Sequence, residues 1–422
     1  MRALGITHRT RIWDPITTLW ASIAQAISAD RSYREAVARL RACRAVQGLP
    51  DCSGNTAAYT QAKKRQSEDL IIRLAKKVAS KLEASIATDH LWHGHHVKIV
   101  DGTCVTMADT FVNQCRYPRS KSTKPGIGFP ISRGVGLFSA YSGALLNFSN
   151  AAYEGKGTGE STLFRSMHSS VNPGDIVLAD RYYDGFFLVA YMMKRNAHLV
   201  VRSKDMRSID FSRGEILGEE DHIIYRSKPR KPKWMSDEEY QSLPEVLRIR
   251  ELRVPLYKDK KLLLQTTLLD KKYPKDDLVQ LYRDRWDCEL DIRDLKITLQ
   301  LDHLRCKDPK MVYKEIWLGI LAHNLLRSLV TESANKHDLR PRGLSFKGTV
   351  QLVTQFAPHL STLSGNETGM YNLMLKAISE EIVRNRAGRV EPRKKKRRPK
   401  GERLMEPRGV ARERILKERG LT

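Results

Sequence analysis

The sequence predicts an α/β protein: a mixed β-sheet with helices, preceded by a helical domain, interrupted by a β-rich insertion and followed by a basic tail. Three observations predict it. Apolar residues recur at three- and four-residue spacing up to about residue 86, then give way to short β-branched runs from residue 96. Strand-like and helix-like runs alternate from there to about residue 204. Past residue 384 apolar residues thin out, and 16 Lys/Arg stand against 5 Asp/Glu.

Charge and composition narrow the function. The 422 residues carry a formal charge of +26, so nucleic acid is the leading partner and a membrane surface the weaker one. Apolar content of 41% marks a globular chain with room for two or three domains. No run of 18 apolar residues is present, which argues against a membrane span, and the N-terminus lacks a signal-peptide core. Cys43, Cys52, Cys104, Cys115, Cys288 and Cys306 are scattered without a C-x-x-C, which suits a reducing cytosol and argues against a zinc ribbon or a disulfide framework.

The elements follow in order. Residues 14–45 and 56–86 read as helices, with Asp30 or Ser32 available as a cap between the first two. The second stretch is strongly basic. Together they predict a helical domain over 1–90 that docks on DNA backbone; a helical dimerisation domain is the other reading. HVKIVDGTCVTM reads as a first strand with Asp101 at its end. GVGLFSAYSG and ALLNFSNAAY follow as a hairpin turning near Gly143. GKGTGESTLFRSMHSSV gives a Gly turn into a helix; it lacks the spacing of a phosphate loop. GDIVLADRYY is a buried strand ending at Asp180, GFFLVAYMMKRNA a helix, and HLVVRSK a fifth strand. Three strands, helix, strand, helix, strand is the layout of a ribonuclease H-like sheet, in which the ends of the first and fourth strands are neighbours. Residues 205–275 read as an inserted β-rich subdomain within a catalytic domain over 91–335. A helical region over 336–390 and a basic tail over 391–422, whose last dozen residues could form a helix, complete the chain.

One helix carries the chemistry. LYRDRWDCELDIRDLKITLQ, residues 281–300, contains neither Gly nor Pro. Its Tyr282, Arg285, Glu289 and Lys296 fall within roughly 60° of one face at helical pitch. Two strand-end aspartates and a helix glutamate form a hard-oxygen set that suits two Mg²⁺ or Mn²⁺ ions. Such a pair can drive phosphoryl transfer without a general-base His. Taken singly, each acid is more often a turn former or cap.

These residues are similar to those of the DDE transposases of the insertion-sequence-4 family. The family signature Tyr-x2-Arg-x3-Glu-x6-Lys is matched by Tyr282, Arg285, Glu289 and Lys296. An apolar strand ending in Asp-Gly-Ser/Thr is matched by Asp101, Gly102 and Thr103, and Asp-Arg-x-Tyr by Asp180, Arg181 and Tyr183. The resemblance covers roughly residues 50–400. It implies Asp101, Asp180 and Glu289 as catalytic metal ligands, and Tyr282, Arg285 and Lys296 as contacts to DNA phosphates. It further implies a bacterial, nucleoid-associated enzyme that assembles as a homodimer on its own element's ends, cuts there and joins them to target DNA. In some members a Trp of the insertion holds a flipped base; Trp234 and Tyr257 are the candidates here. A catalytically inactive DNA-binding relative is the alternative, and an RNA-binding protein of the translation machinery a third class.

Weaker signals remain. Arg202, Lys204 and Arg207, past the fifth strand, can track DNA backbone or merely solubilise the surface. His90, His93, His95 and His96 read as a link between the helical domain and the first strand, with His95 and His96 able to add to phosphate binding; a metal site is the other reading. Trp286 reads as core. KKKRR reads as phosphate-binding rather than as an import patch.

Overall fold

The computed structural model describes residues 11–121, 128–204, 209–257, 260–360, 367–383 and 408–418. Arg207 and most of the basic tail, including KKKRR, lie outside them. Four helices open the chain: α1 (Pro15–Ile27), α2 (Tyr33–Val46), α3 (Ala57–Arg65) and α4 (Glu68–Ala84). Local sequence sets their starts. Asp14 accepts from the Thr17 amide at 2.6 Å ahead of Pro15. Ser32, not Asp30, is the cap of α2, accepting from the Glu35 amide at 3.1 Å. Ser67 caps α4 and splits the second predicted helical stretch in two. Trp13, Val37 and Tyr59 form a small core among α1, α2 and α3.

The predicted strands and helices then appear, with one short helix, α5, that the sequence reading did not include: β1 (Val97–Met107), α5 (Phe111–Arg116), β2 (Ile131–Ser139), β3 (Leu145–Ala152), α6 (Glu160–Arg165), β4 (Ile176–Ala179), α7 (Phe186–Lys194) and β5 (His198–Arg202). β1, β2 and β3 are antiparallel neighbours, while β4 lies parallel to β1 and β5 parallel to β4. One expectation is corrected. Asp101 does not end its strand; β1 runs six residues further, because Thr103, Val105 and Thr106 keep the β-branched pattern and pair across to β2.

The stretch 205–275 supplies β6 (Glu215–Gly218), β7 (Asp221–Ser227), α8 (Asp237–Gln241), β8 (Val246–Tyr257) and β9 (Lys260–Thr266). Its strands join the main sheet, because β9 pairs antiparallel with β5. The order across the sheet is β3-β2-β1-β4-β5-β9-β8-β7-β6. The alternation of apolar and charged residues in this stretch is that of an antiparallel sheet with one wet face.

The signature stretch is helical from Lys275 to Thr298 but not one regular helix. α9 (Lys275–Arg283) passes through a tight turn at Asp284–Trp286 into α10 (Asp287–Arg293), which widens into a π-helical turn at Asp294–Thr298. β10 (His303–Leu304) then lies parallel beside the end of β1. The long α11 (Pro309–Lys336) follows, capped by Asp308, then α12 (Phe346–Leu360), α13 (Glu367–Glu380) and α14 (Arg408–Glu418). Apolar residues fill both faces of the sheet. Ile99, Phe138, Ile316 and Ile320 belong to the side of α1, α4 and α11. Val100, Leu137, Phe164 and Val189 belong to the side of α6 and α7.

Candidate active site

β1 and β4 pair at Val97–Ile176, Lys98–Val177 and Ile99–Leu178. Two more steps along that register bring Asp101 level with Asp180. A buried ion pair holds the register: Lys98 Nζ lies 2.5 Å from Asp175, just before β4, and donates to the Ser170 carbonyl at 3.0 Å. Each aspartate is then oriented by its own backbone. Asp101 Oδ1 accepts from the Gly102 amide at 2.8 Å, and Asp180 Oδ1 from the Tyr182 amide at 2.8 Å.

On β1 the strands β4 and β10 occupy the two ends of one edge, pairing at 97–99 and at 106–107. The signature helix lies against the stretch left between them, and Lys296 donates to the Cys104 carbonyl at 2.9 Å. Arg285 stands between two of the acids, 3.6 Å from Asp101 and 3.8 Å from Glu289. Burial pushes the Asp101 carboxyl above its ordinary range, and the charges of Asp180 and Glu289 push the same way; the Gly102 amide and Arg285 oppose them. Asp101 is therefore within electrostatic reach of both other acids. Among the described residues no three His, Cys, Asp or Glu side chains form a ready-made metal cage. Glu289 is 59% exposed and shares Arg285 with Asp101.

The other expected residues sort themselves by exposure. Tyr282 is buried, its hydroxyl donating to the Ala179 carbonyl at 3.2 Å, so it braces the strand end that carries Asp180. Arg202 ends β5, and its charge acts on Tyr282. The Lys204 amide donates to Asp184, whose carboxylate also pairs with Arg226 at 3.0 Å. Trp286, expected in the core, is 42% exposed, because the tight turn at Asp284–Trp286 rolls it outward beside Arg285. Trp234 packs under the Arg165 guanidinium at 3.6 Å and against Phe187. The Tyr257 side chain lies outside the described residues.

Sequence reading missed two features. The first is Glu160, at the start of α6. A Cβ at Gly102 would lie 2.4 Å from the Glu160 carboxyl carbon, so that carboxylate rests on the glycine's backbone. Burial raises the Glu160 carboxyl, and Asp180 and Asp101 raise it further. The signal was available: a glycine directly after Asp101 implies close approach by another group, though not by which one. The second is a buried ion network behind the helix. Arg327 on α11 reaches Asp291 at 2.7 Å and Asp294 at 3.1 Å, and Arg342 reaches Asp291 at 2.6 Å. Gly143, at φ +74°, admits it, since a Cβ there would lie 2.8 Å from Asp291 Oδ1.

The histidine segment is a link. His95 uses both ring nitrogens, on the Gly174 carbonyl and the Tyr273 hydroxyl. His93 meets Asp277 at 2.9 Å and His96 meets Glu83 at 3.2 Å. Both ring nitrogens of His95 are thus taken up within the fold, which leaves it no donor for a phosphate.

Comparison with known proteins gives a consistent picture. A family described as a transposase DDE domain matches residues 92–325, more than half of the chain. The chain is 25% identical over 355 residues to the transposase InsG for insertion sequence element IS4 of Escherichia coli K12, covering 81% of this chain and 77% of that protein. Over 80 residues it is 35% identical to the transposase for insertion sequence element IS421 of Escherichia coli, 19% of this chain and 21% of that protein. A putative transposase InsL for element IS186A of Escherichia coli K12 matches to the same extent.

Proposed function

This chain belongs to the transposase DDE-domain family, and from that premise we propose that it cuts DNA at the ends of its own insertion sequence and joins those ends to target DNA. Asp101, Asp180 and Glu289 are the catalytic carboxylates. The observation that carries this reading is the β1–β4 register, which brings Asp101 level with Asp180 beneath the helix bearing Glu289. Burial raises Asp101 most, and the neighbouring charges of Asp180 and Glu289 add to it, so a cation is favoured beside the cluster. Hard carboxylate oxygens fit Mg²⁺ or Mn²⁺, and two such ions, when bound, activate the attacking oxygen and stabilise the leaving one.

This chain's own residues do the rest. The amides of Gly102 and Tyr182 each hold one oxygen of an aspartate, which fixes the direction of the other. Arg285 is a planar donor that can pair with a phosphate as readily as with a carboxylate. DNA at the site offers it a phosphate in place of Glu289, and the exposed glutamate is released toward the aspartates. Lys296 lies against β1 and keeps two N–H donors for a phosphate beside the one given to the Cys104 carbonyl, whereas the Tyr282 hydroxyl contacts phosphate as a donor only by leaving the Ala179 carbonyl of β4. Arg202 and Lys204, at the end of β5, and Arg207 extend the basic track. The enzyme acts as a homodimer assembled on DNA.

Asp180→Asn and Glu289→Ala are expected to lower Mg²⁺-dependent cleavage of an end-bearing duplex by at least about 10³-fold, while leaving gel-shift affinity within a few-fold. Arg285→Ala is expected to weaken the complex itself. Full cleavage by either acid variant would end this assignment.

A further inference from the structure

A cavity of about 550 Å³ lies away from the carboxylates, at the seam between the N-terminal helices and the start of α11. Five cations line it, Arg31, Lys63, Lys64, Arg305 and Lys307, against two carboxylates, Asp308 and Glu315. Both carboxylates are already engaged. Glu315 pairs with Arg31 at 3.2 Å and accepts from the Arg305 and Cys306 amides. Asp308 caps α11. Arg305 is engaged too, donating to the Asp30 carbonyl at 2.6 Å.

Lys63 is different. It is 6% exposed, and its Nζ donates to one neutral acceptor, Gln25 Oε1, at 3.0 Å. The rings of Tyr33 and Tyr59 lie 4.9 and 5.6 Å from it. Among the described residues no carboxylate pairs with it within 4.0 Å. A buried ammonium without a counter-ion is costly. Burial accordingly pushes the Lys63 ammonium below its ordinary range. The other walls include Ala26, Met311 and Leu318 and the half-buried Tyr33. Concave shape, apolar walls and a few convergent polar groups are the features of a small-molecule site.

We propose that this cavity binds a nucleoside phosphate, with Lys63, Lys64 and Lys307 on the phosphate and the apolar wall around Tyr33 against the base. The ligand is either a free nucleotide or the phosphorylated terminal nucleotide of a DNA strand; the chemistry recognised is the same. A smooth duplex backbone does not reach a lysine this deeply buried. The site is independent of the carboxylate assignment above, since it shares no residue with it.

Titration calorimetry on the full chain tests it with three probes: deoxyadenosine 5′-monophosphate, inorganic phosphate, and a single-stranded oligonucleotide with or without a 5′-phosphate. Saturable binding of the mononucleotide is expected, at least tenfold tighter than inorganic phosphate and at least tenfold weaker in Lys63→Met. The exposed pair Lys64→Gln with Lys307→Gln serves if Lys63→Met does not fold, and should also weaken binding tenfold. If the 5′-phosphorylated strand binds more tightly than the mononucleotide and loses that advantage without its phosphate, the ligand is a DNA terminus. If the mononucleotide binds and the strand does not displace it, the ligand is a free nucleotide. Absence of saturable binding for all three probes overturns the proposal, as does equal affinity for mononucleotide and inorganic phosphate, or binding unchanged in the folded variants.

Discussion

Asp101 shows how a buried carboxylate weakens the fold that carries it. Its carboxyl is raised by burial and by two neighbouring acids, so it holds its proton more tightly folded than unfolded. A group shifted in this direction adds stability as pH falls, and that contribution is lost as pH rises through its folded pKa. At pH 7 the charge therefore works against folding. Asp101→Asn, which can keep the hydrogen bond from the Gly102 amide, is expected to raise Tm by about 1–3 °C at pH 7 while abolishing cleavage. The gain should be smaller at pH 4 than at pH 7, because the raised carboxyl takes up its proton as pH falls. Paired thermal melts at the two pH values measure it, and a variant that melts lower than wild type at pH 7 contradicts the account. At this scale the nearness of Asp101 to Asp180 was legible in the sequence, because the order of the strands implies it. Glu160 was not, because only the folded contact with Gly102 brings it to them.

Among the elements, the signature helix depends on what lies behind it. Asp291 and Asp294 sit on the face away from Asp101 and meet Arg327, which is 3% exposed. Arg342 ties the same Asp291 to the carbonyls of Ser139 and Ala140 at the end of β2. Removing one member of a buried ion network leaves charge without a counter-ion, a loss of about 3–5 kcal/mol. Arg327→Met belongs at the low end, because Arg342 still serves Asp291. It is expected to lower the denaturant midpoint accordingly and to speed amide exchange across 287–293 more than elsewhere. Exchange that accelerates evenly over the chain would mean the network holds no particular helix. The sequence showed a helix here with one polar face; it could not show the tight turn at 284–286 or the π-helical turn at 294–298. They accompany the contacts of Tyr282 with the Ala179 carbonyl on β4, 103 residues earlier, and of Lys296 with the Cys104 carbonyl on β1, 192 residues earlier.

For the molecule as a whole, a charge of +26 on 422 residues makes DNA affinity a function of ionic strength. Binding to an end-bearing duplex should fall by about 10³-fold or more between 50 and 200 mM salt. A nearly flat salt response would say that the excess cations do not meet phosphate. The order of the first five strands and of the helices α6 and α7 was readable from alternation alone, but the short α5 and α8 were not. The insertion was readable as strands but not as part of the same sheet, because pairing of β9 with β5 is a non-local choice that periodicity does not encode. No helix among the described residues is long and apolar enough to cross a membrane.

One element spans both halves of this architecture. Near its start α11 grips the helical domain, with Lys314 on the carbonyls of Lys63 and Lys64 and Glu315 on Arg31. Thirteen residues on, about 20 Å along the axis, Arg327 grips the helix that carries Glu289. A stiff rod clamped at both ends transmits tilt. A force that tilts the N-terminal helices therefore bears on the same axle that the helix carrying Glu289 is fastened to.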